Sequence, residues 1–330
     1  MLKKKKFGQF YTKNSDYIVG NLLNDLPKEL NIIEPFCGQG DLVFKDRKYE
    51  LYDIDPKIQG CVQQDTLLNP PDYQGKLVIT NPPFLNKNKS LDKIIYEKYS
   101  VDDLYKAAIK TLIDCEGGIL ILPLNFLSDE DNEIRDLFFS NYKIINLNIF
   151  EEKVFSDTTY IVCSFSFQKK KKETISDILN ICFFPSMEKK EFKIEKKYGW
   201  KIGGEFLSLI NNQVNIGITR VQIGQISNSQ LYLRAIDSGS ENGKIELMIS
   251  DKVFYGKKTD RTFASINLDR EYSLEEQQKI CLKFNSILNE NRIKYNSLFL
   301  TNFRNASKTY SRKRISFDFA YKLISYIIKN

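Results

Sequence analysis

Between Leu77 and Asn86 the chain reads LVITNPPFLN. An apolar, strand-like run stops at Asn81, and Pro82, Pro83 and Phe84 follow at once. Those residue types suit one kind of chemistry. A planar exocyclic amine is a poor nucleophile because its lone pair is delocalised into the ring. Two acceptors that take its two hydrogens localise that pair as positive charge develops. The Asn81 side-chain oxygen supplies one acceptor and the Pro82 carbonyl the other. The prolines fix φ, so both acceptors are aimed in advance. Phe84 offers a flat face for a stacked base. The same four residues also fit an Asn-Pro turn above a core phenylalanine.

Three earlier strand ends carry polar residues. The run Ile32-Ile33-Glu34 leads into Pro35-Phe36-Cys37-Gly38-Gln39-Gly40-Asp41. This is neither GxGxxG nor a P-loop, because no Lys-Ser/Thr follows Gly40. Glu34 there would pair with an ammonium, or simply end a βα turn. Asp53 closes the next strand, where an acid typically bonds ribose hydroxyls. Asp65 follows the third, and would accept from an adenine amino group or cap a helix. An ammonium, a ribose and an aminopurine partner, in that order, describe S-adenosylmethionine better than NAD.

Taken together, these motifs resemble those of N6-adenine DNA methyltransferases of the gamma (Taq-type) group. Phe7-Gly8-Gln9-Phe10-Tyr11-Thr12 is similar to their N-terminal G-x-x-x-T motif. Glu34 to Gly40 resembles their cofactor loop, and Asn81-Pro82-Pro83-Phe84 their catalytic (D/N/S)PP(Y/F) signature. Glu152-Lys153-Val154-Phe155-Ser156 resembles their motif with a base-stacking Phe. The resemblance spans about residues 7 to 168. It implies that Phe10, Tyr11 and Thr12 bind the cofactor, Thr12 at its methionine end. Glu34 would take the ammonium, with Phe36 and Gly38 beside it. Asp53 would hold the ribose, Ile54 would pack on the adenine, and Asp65, with Thr66, would meet the adenine N6. Asn81 and Pro82 would hold the target amine, Pro83 would stiffen the loop, and Phe84 and Phe155 would sandwich the target base. Lys13 stands where the family often has Pro, and Thr66 where it usually has a hydrophobic residue. The same loop chemistry also serves RNA-directed base methyltransferases and protein-glutamine N5-methyltransferases.

The elements that must position these residues alternate strand and helix through the first half. Strands are expected over 31–36, 49–54, 61–64, 76–80, 117–123, 144–150 and 160–167, and a helix over 100–115. The last two strands are close enough for a hairpin. That pattern predicts a mostly parallel, doubly wound α/β sheet, with the polar residues along its ligand-binding edge. The resemblance sharpens this to a seven-stranded Rossmann-like methyltransferase sheet followed by a DNA-recognition domain. Lys169 to Lys172 looks like a linker, so the catalytic domain is expected over 1–172 and the recognition domain over 173–330. In the latter, strands are expected over 231–235 and 245–249. Ser273 and Glu276 form a capping-box pattern ahead of a helix over 274–293.

Composition bounds the remainder. The 330 residues are 42% hydrophobic and 13% aromatic, enough for a sizeable core. There is no histidine, which excludes every mechanism built on a histidine base or ligand. The six cysteines form no CxxC pair, so no metal site or disulfide framework is expected, and no Pro-Cys exists for a cytosine-C5 mechanism. No apolar run reaches the roughly 18 residues of a membrane span, and no signal core follows the N-terminal lysines. A cytoplasmic protein is expected. The formal charge is +7, and from Arg292 onward Asp318 is the only acid among nine bases. This suits a polyanion such as double-stranded DNA, or is a solvated lysine-rich surface. Arg261, Arg304, Arg312, Lys313 and Arg314 are the candidate DNA contacts. A cognate restriction endonuclease is the expected protein partner. A non-catalytic nucleic-acid-binding relative is disfavoured by the intact Glu34, Asp53 and Asn81.

Overall fold

A computed structural model describes residues 12–155, 161–238, 244–255, 261–303 and 312–330. The chain divides into two compact units, Met1–Trp200 and Lys201–Asn330.

The first unit is built on a nine-stranded sheet. Its strands are β1 (Ile32–Glu34), β2 (Tyr49–Asp53), β3 (Cys61–Gln63), β4 (Leu77–Thr80), β5 (Gly117–Pro123), β6 (Tyr142–Phe150), β7 (Val162–Lys169), β8 (Ser176–Phe184) and β9 (Glu188–Glu195), in the order 3-2-1-4-5-7-6-8-9. β3, β2, β1, β4 and β5 run parallel, and β7 lies antiparallel between β5 and β6. β1, β4 and β5 are buried along their whole length, as continuous apolar runs in a two-sided sheet should be. Strand order reverses between β1 and β4, which is where open α/β sheets bind ligands. Gly118 lets β5 approach β4: at φ 151° it has no Cβ, and one would lie 1.8 Å from the Val78 carbonyl oxygen.

Helices α1 (Ser15–Val19), α2 (Ile94–Tyr99), α3 (Leu104–Thr111) and α4 (Glu133–Asn141) complete this unit. The helix expected over 100–115 is shorter, because Ser100 adopts a left-handed conformation (φ 51°) that ends α2, and Asp103 is extended ahead of α3. Buried polar groups of the sheet hold α1 and the turn after it: Ser164 Oγ donates to the Ile18 carbonyl (2.5 Å) and Asn148 Nδ2 to Asn21 Oδ1 (2.8 Å).

The chain does not leave the sheet at residue 172. β8 pairs in parallel with β6, and β9 pairs with β8. Lys170, expected in a linker, is buried on Asp177 Oδ2 at 2.6 Å. Its ammonium also lies 4.9 Å above the Trp200 ring. Trp200 is buried, stacked on Phe139 at 5.3 Å, and closes the unit. β9, sequence EKKEFKIE, buries only Phe192 and Ile194. Charged edge strands of this kind resist unwanted pairing, and in sequence they read as a solvated run.

The second unit holds a four-stranded sheet in the order β10 (Thr219–Arg220), β13 (Phe263–Asn267), β11 (Leu231–Arg234), β12 (Glu246–Ile249), and a hairpin of β14 (Thr301–Phe303) and β15 (Arg312–Arg314). Its helices are α5 (Gly204–Asn211), α6 (Leu274–Lys294) and α7 (Phe317–Lys329). They share one core with the inner sheet face, including Phe206, Leu231, Leu233, Phe284, Phe319 and Leu323. The capping box at α6 is formed: Ser273 N donates to Glu276 Oε2 (2.7 Å) and Glu276 N to Ser273 Oγ (3.3 Å). Among the described residues, no helix is long and apolar enough to cross a membrane.

Candidate active site

A cavity of about 630 Å³ opens at the C-terminal ends of the parallel strands. That lies within the usual range for small-molecule sites, roughly 300–1,000 Å³. Phe36 and Gly38 after β1, Asp53 and Ile54 at the end of β2, Asp65 and Thr66 after β3, and Asn81 and Pro83 after β4 all line it. Four loops expected to meet from sequence therefore do meet.

The loop after β1 is held by Asp53. Gly38 N donates to Asp53 Oδ2 and Asp55 N to Oδ1, both at 2.8 Å. Gly38 has φ 52°, which glycine adopts at little cost. Thr66 Oγ1 donates to the Pro35 carbonyl at 2.9 Å, binding the β3 exit to the same loop. Asp65 Oδ1 accepts from Leu67 N and Leu68 N, both at 3.0 Å, so this side chain caps a turn and also faces the cavity.

Glu34 lies beneath the cavity rather than in its wall. It is buried, and Oε1 accepts from Thr80 Oγ1 (2.5 Å) and Phe36 N (3.1 Å). Oε2 is buried with no hydrogen-bond partner among the described residues. Burial pushes the carboxyl up to about 8, against the lowering effect of the Thr80 and Phe36 bonds, and nearby Asp53 pushes the same way as burial.

Asn81 Nδ2 donates to Thr12 Oγ1 at 3.1 Å. Thr12 is buried, so this bond fixes the plane of the amide. Pro82 and Phe84 are buried and do not line the cavity. Phe84 packs edge-to-face on Tyr105, centroids 6.4 Å apart. Phe155 is also buried. Neither expected stacking ring thus lies open in this structure. Tyr17 of α1 donates a hydrogen bond to Glu152, which anchors the approach to Phe155. Phe10, Tyr11 and Ser156 lie outside the described residues.

The segment after the loop was not anticipated. Leu85 and residues 90–96 form the opposite wall. Leu91 and Ile94 are 93% and 59% exposed and form an apolar lip. Asp103 anchors this wall. Its Oδ1 accepts from Leu85 N (3.0 Å), and Leu104 N donates to the Leu85 carbonyl (3.3 Å). Tyr96 Oη donates to that same carbonyl at 2.8 Å. Burial pushes Asp103 up to about 7.

Cys37 Sγ lies 2.7 Å from Cys61 Sγ, and both thiols are shifted upward chiefly by burial, so neither is a ready thiolate.

The expected DNA contacts fall in the second unit. Arg261 is exposed, and Arg304 lies outside the described residues. Lys313 corrects the sequence reading: it is buried, its Nζ donating to Asn302 Oδ1 at 2.5 Å, so its ammonium is used internally. Arg312 Nε donates to the Asp237 carbonyl at 2.6 Å, and the Arg314 backbone bridges to Ile236. Asp237 also takes Arg292 through both oxygens, at 2.9 and 3.1 Å. Much of the basic C-terminal run therefore stitches the unit together.

No family model matches this sequence, and no curated protein matches it. Solved structures are similar to it at a distance. A modification subunit of a putative type I restriction enzyme from Vibrio vulnificus is 14% identical at a TM-score of 0.43, over 82% of this chain and 61% of that one. A putative class I S-adenosylmethionine-dependent methyltransferase from Listeria monocytogenes is 18% identical at 0.41, over 53% and 66%. The 23S rRNA methyltransferase ErmE is 13% identical at 0.37, over 50% and 71%. The chain thus spans about three-fifths of the length of the first of these structures.

Proposed function

We propose that this chain is an S-adenosylmethionine-dependent DNA methyltransferase of the gamma kind, acting on adenine N6 in a restriction–modification setting. One observation carries the reading: the residues after four neighbouring strands, acidic at β2 and β3 and amide-bearing at β4, line one cavity at the point where strand order reverses.

The residues fit the cofactor. Glu34 Oε2 is a buried acceptor that lacks a donor among the described residues, as a carboxyl meant for an ammonium would be. Each Asp53 oxygen accepts one backbone N–H and keeps a further lone pair for a ribose hydroxyl. Ile54 gives the adenine an apolar neighbour, and Asp65 keeps an oxygen beyond its capping bonds. Bound S-adenosylmethionine supplies an electrophilic methyl group.

The chain's own work is to hold the target amine. Asn81 gives Nδ2 to Thr12, and its Oδ1 would accept from the target amine. The Pro82 carbonyl is the second acceptor, on a loop stiffened by two prolines and pinned at its exit by Asp103. A duplex hides adenine N6, so the base must be flipped out, at an expense of a few kcal/mol. Stacking on Phe84 and Phe155 would offset this once those rings are uncovered. The second unit, with 20 basic and 12 acidic residues, gives the DNA its electrostatic partner. That balance favours a nucleic acid over a protein glutamine as substrate.

The test is Asn81→Ala. Cofactor binding should persist while turnover falls by about a hundredfold or more, as when one preorganised transition-state hydrogen bond is removed. Near-wild-type methylation by this variant would contradict the assignment.

A further inference from the structure

The outer face of the second unit's sheet carries an arrangement that the methyl-transfer reading does not use. Along β11, Leu231 and Leu233 turn into the core, which leaves Tyr232 and Arg234 on the other face. Register brings Tyr232 opposite Ser265 and Arg234 opposite Phe263 on β13. Phe254 lies over this face. Its N–H donates to Ser265 Oγ (2.9 Å) and its carbonyl accepts from Ser265 N (3.2 Å), so the backbone under the ring is fixed.

The rings form a set. Tyr232 and Phe263 stack at 5.9 Å with 12° between planes, and Tyr232 and Phe254 are 4.4 Å apart at 31°. Phe254 and Phe263 nonetheless stay 41% and 40% exposed, next to Val253 and Tyr255, which are exposed as well. Folded proteins seldom leave several aromatic faces clustered in water unless something covers them.

Charge indicates what does. Arg234 Nη1 bonds Glu246 at 2.8 Å, while its Nε is buried with no partner among the described residues. Lys252 and Arg261, each two residues ahead of a ring in the chain, are exposed, as is Asp251. The unit as a whole is +8. Fixed π faces with a cationic surround suit a polyanion that also carries flat rings. A paired duplex keeps its base faces to itself.

We propose that Tyr232, Phe254 and Phe263 form a stacking platform for unpaired bases of a nucleic-acid strand, an inference that shares with the proposed function its choice of a nucleic acid as partner and Arg261 as a phosphate contact. Phe254 and Phe263 would take successive bases, and Arg261 and Lys252 the phosphates.

The experiment uses the full chain and a fluorescent single-stranded oligonucleotide of about 12 nucleotides, beside a hairpin duplex of the same sequence. Phe254→Ala and Phe263→Ala should each weaken single-strand binding about tenfold or more, with the salt dependence unchanged. Arg261→Ala should instead lower the salt slope by about one. Phe263→Trp keeps a stacking ring, so it should bind like wild type and show indole quenching, which separates lost stacking from lost folding. Single-strand binding by the alanine variants at wild-type strength would overturn the proposal. So would a wild type that binds neither oligonucleotide, or a wild-type dimer that the alanine variants turn into monomers. Cofactor binding and methyl transfer, measured on the same preparations, fail independently. A protein that stacks bases but takes up no S-adenosylmethionine keeps the platform and loses the methyltransferase reading.

Discussion

Two oxygens of one carboxyl, at Glu34, live in different surroundings. Oε1 is held by Thr80 and Phe36, whereas Oε2 is buried without a donor among the described residues. The folded chain therefore favours the protonated form, with the carboxyl pushed up from 4.5 to about 8. A raised carboxyl binds its proton more tightly folded than unfolded. Ligand-free stability should fall as pH rises from about 4.5 to about 8 and level off above. Glu34→Gln should flatten much of that slope in thermal melts. Asp103, raised from 3.8 to about 7, should leave a residual slope at lower pH. An unaltered profile in the variant would remove Glu34 from this account. Binding of an ammonium-bearing cofactor should tighten with pH over the same window in wild type and not in the variant, because only the ionised carboxyl attracts the cation.

At the scale of elements, the wall opposite the strand ends depends on Asp103. It receives Leu85 N immediately after the Asn81–Phe84 loop. Asp103→Ala should leave that amide without its carboxylate partner and lower stability by about 1–3 kcal/mol. Turnover should drop more than cofactor affinity, because Asn81 sits on the loop being released. An affinity loss as large as the turnover loss would argue against this role. Here the limits of sequence reading are visible. The end residues of β1, β2 and β4 were legible because a polar residue closing an apolar run is a local signal. Asp103 and the Leu85 wall were not, since their meaning lies in a contact across 18 residues of chain. Lys170 misled for the related reason that a lysine run looks solvated until Asp177 and Trp200 are seen beside it. Phe84 was readable as an aromatic next to Asn81 and the two prolines. Its burial against Tyr105 was not, because side-chain packing leaves no pattern in so short a motif.

Across the whole molecule, charge is divided unevenly. The first unit has 29 basic and 30 acidic residues, and the second 20 and 12, so the second carries +8 and the first −1. DNA affinity of the intact chain should therefore fall steeply with salt, and neutralising Arg261 should reduce the slope. Arg312→Ala should act differently. With its Nε on the Asp237 carbonyl, it should lower the melting temperature of the second unit and leave the slope nearly unchanged. The unit boundary gives a further expectation. A fragment ending at residue 172 lacks β8, β9 and Trp200 and should not fold cooperatively, whereas one ending at residue 200 should, as circular dichroism melts would reveal.

The most direct measurement is methyl transfer itself. Double-stranded DNA is incubated with methyl-labelled S-adenosylmethionine and either wild type or Asn81→Ala, and the modified base is identified after digestion. The account expects label on N6 of adenine with wild type and almost none with the variant, at equal cofactor binding. Label on another base, label on no nucleic acid, or equal label from both proteins would contradict it.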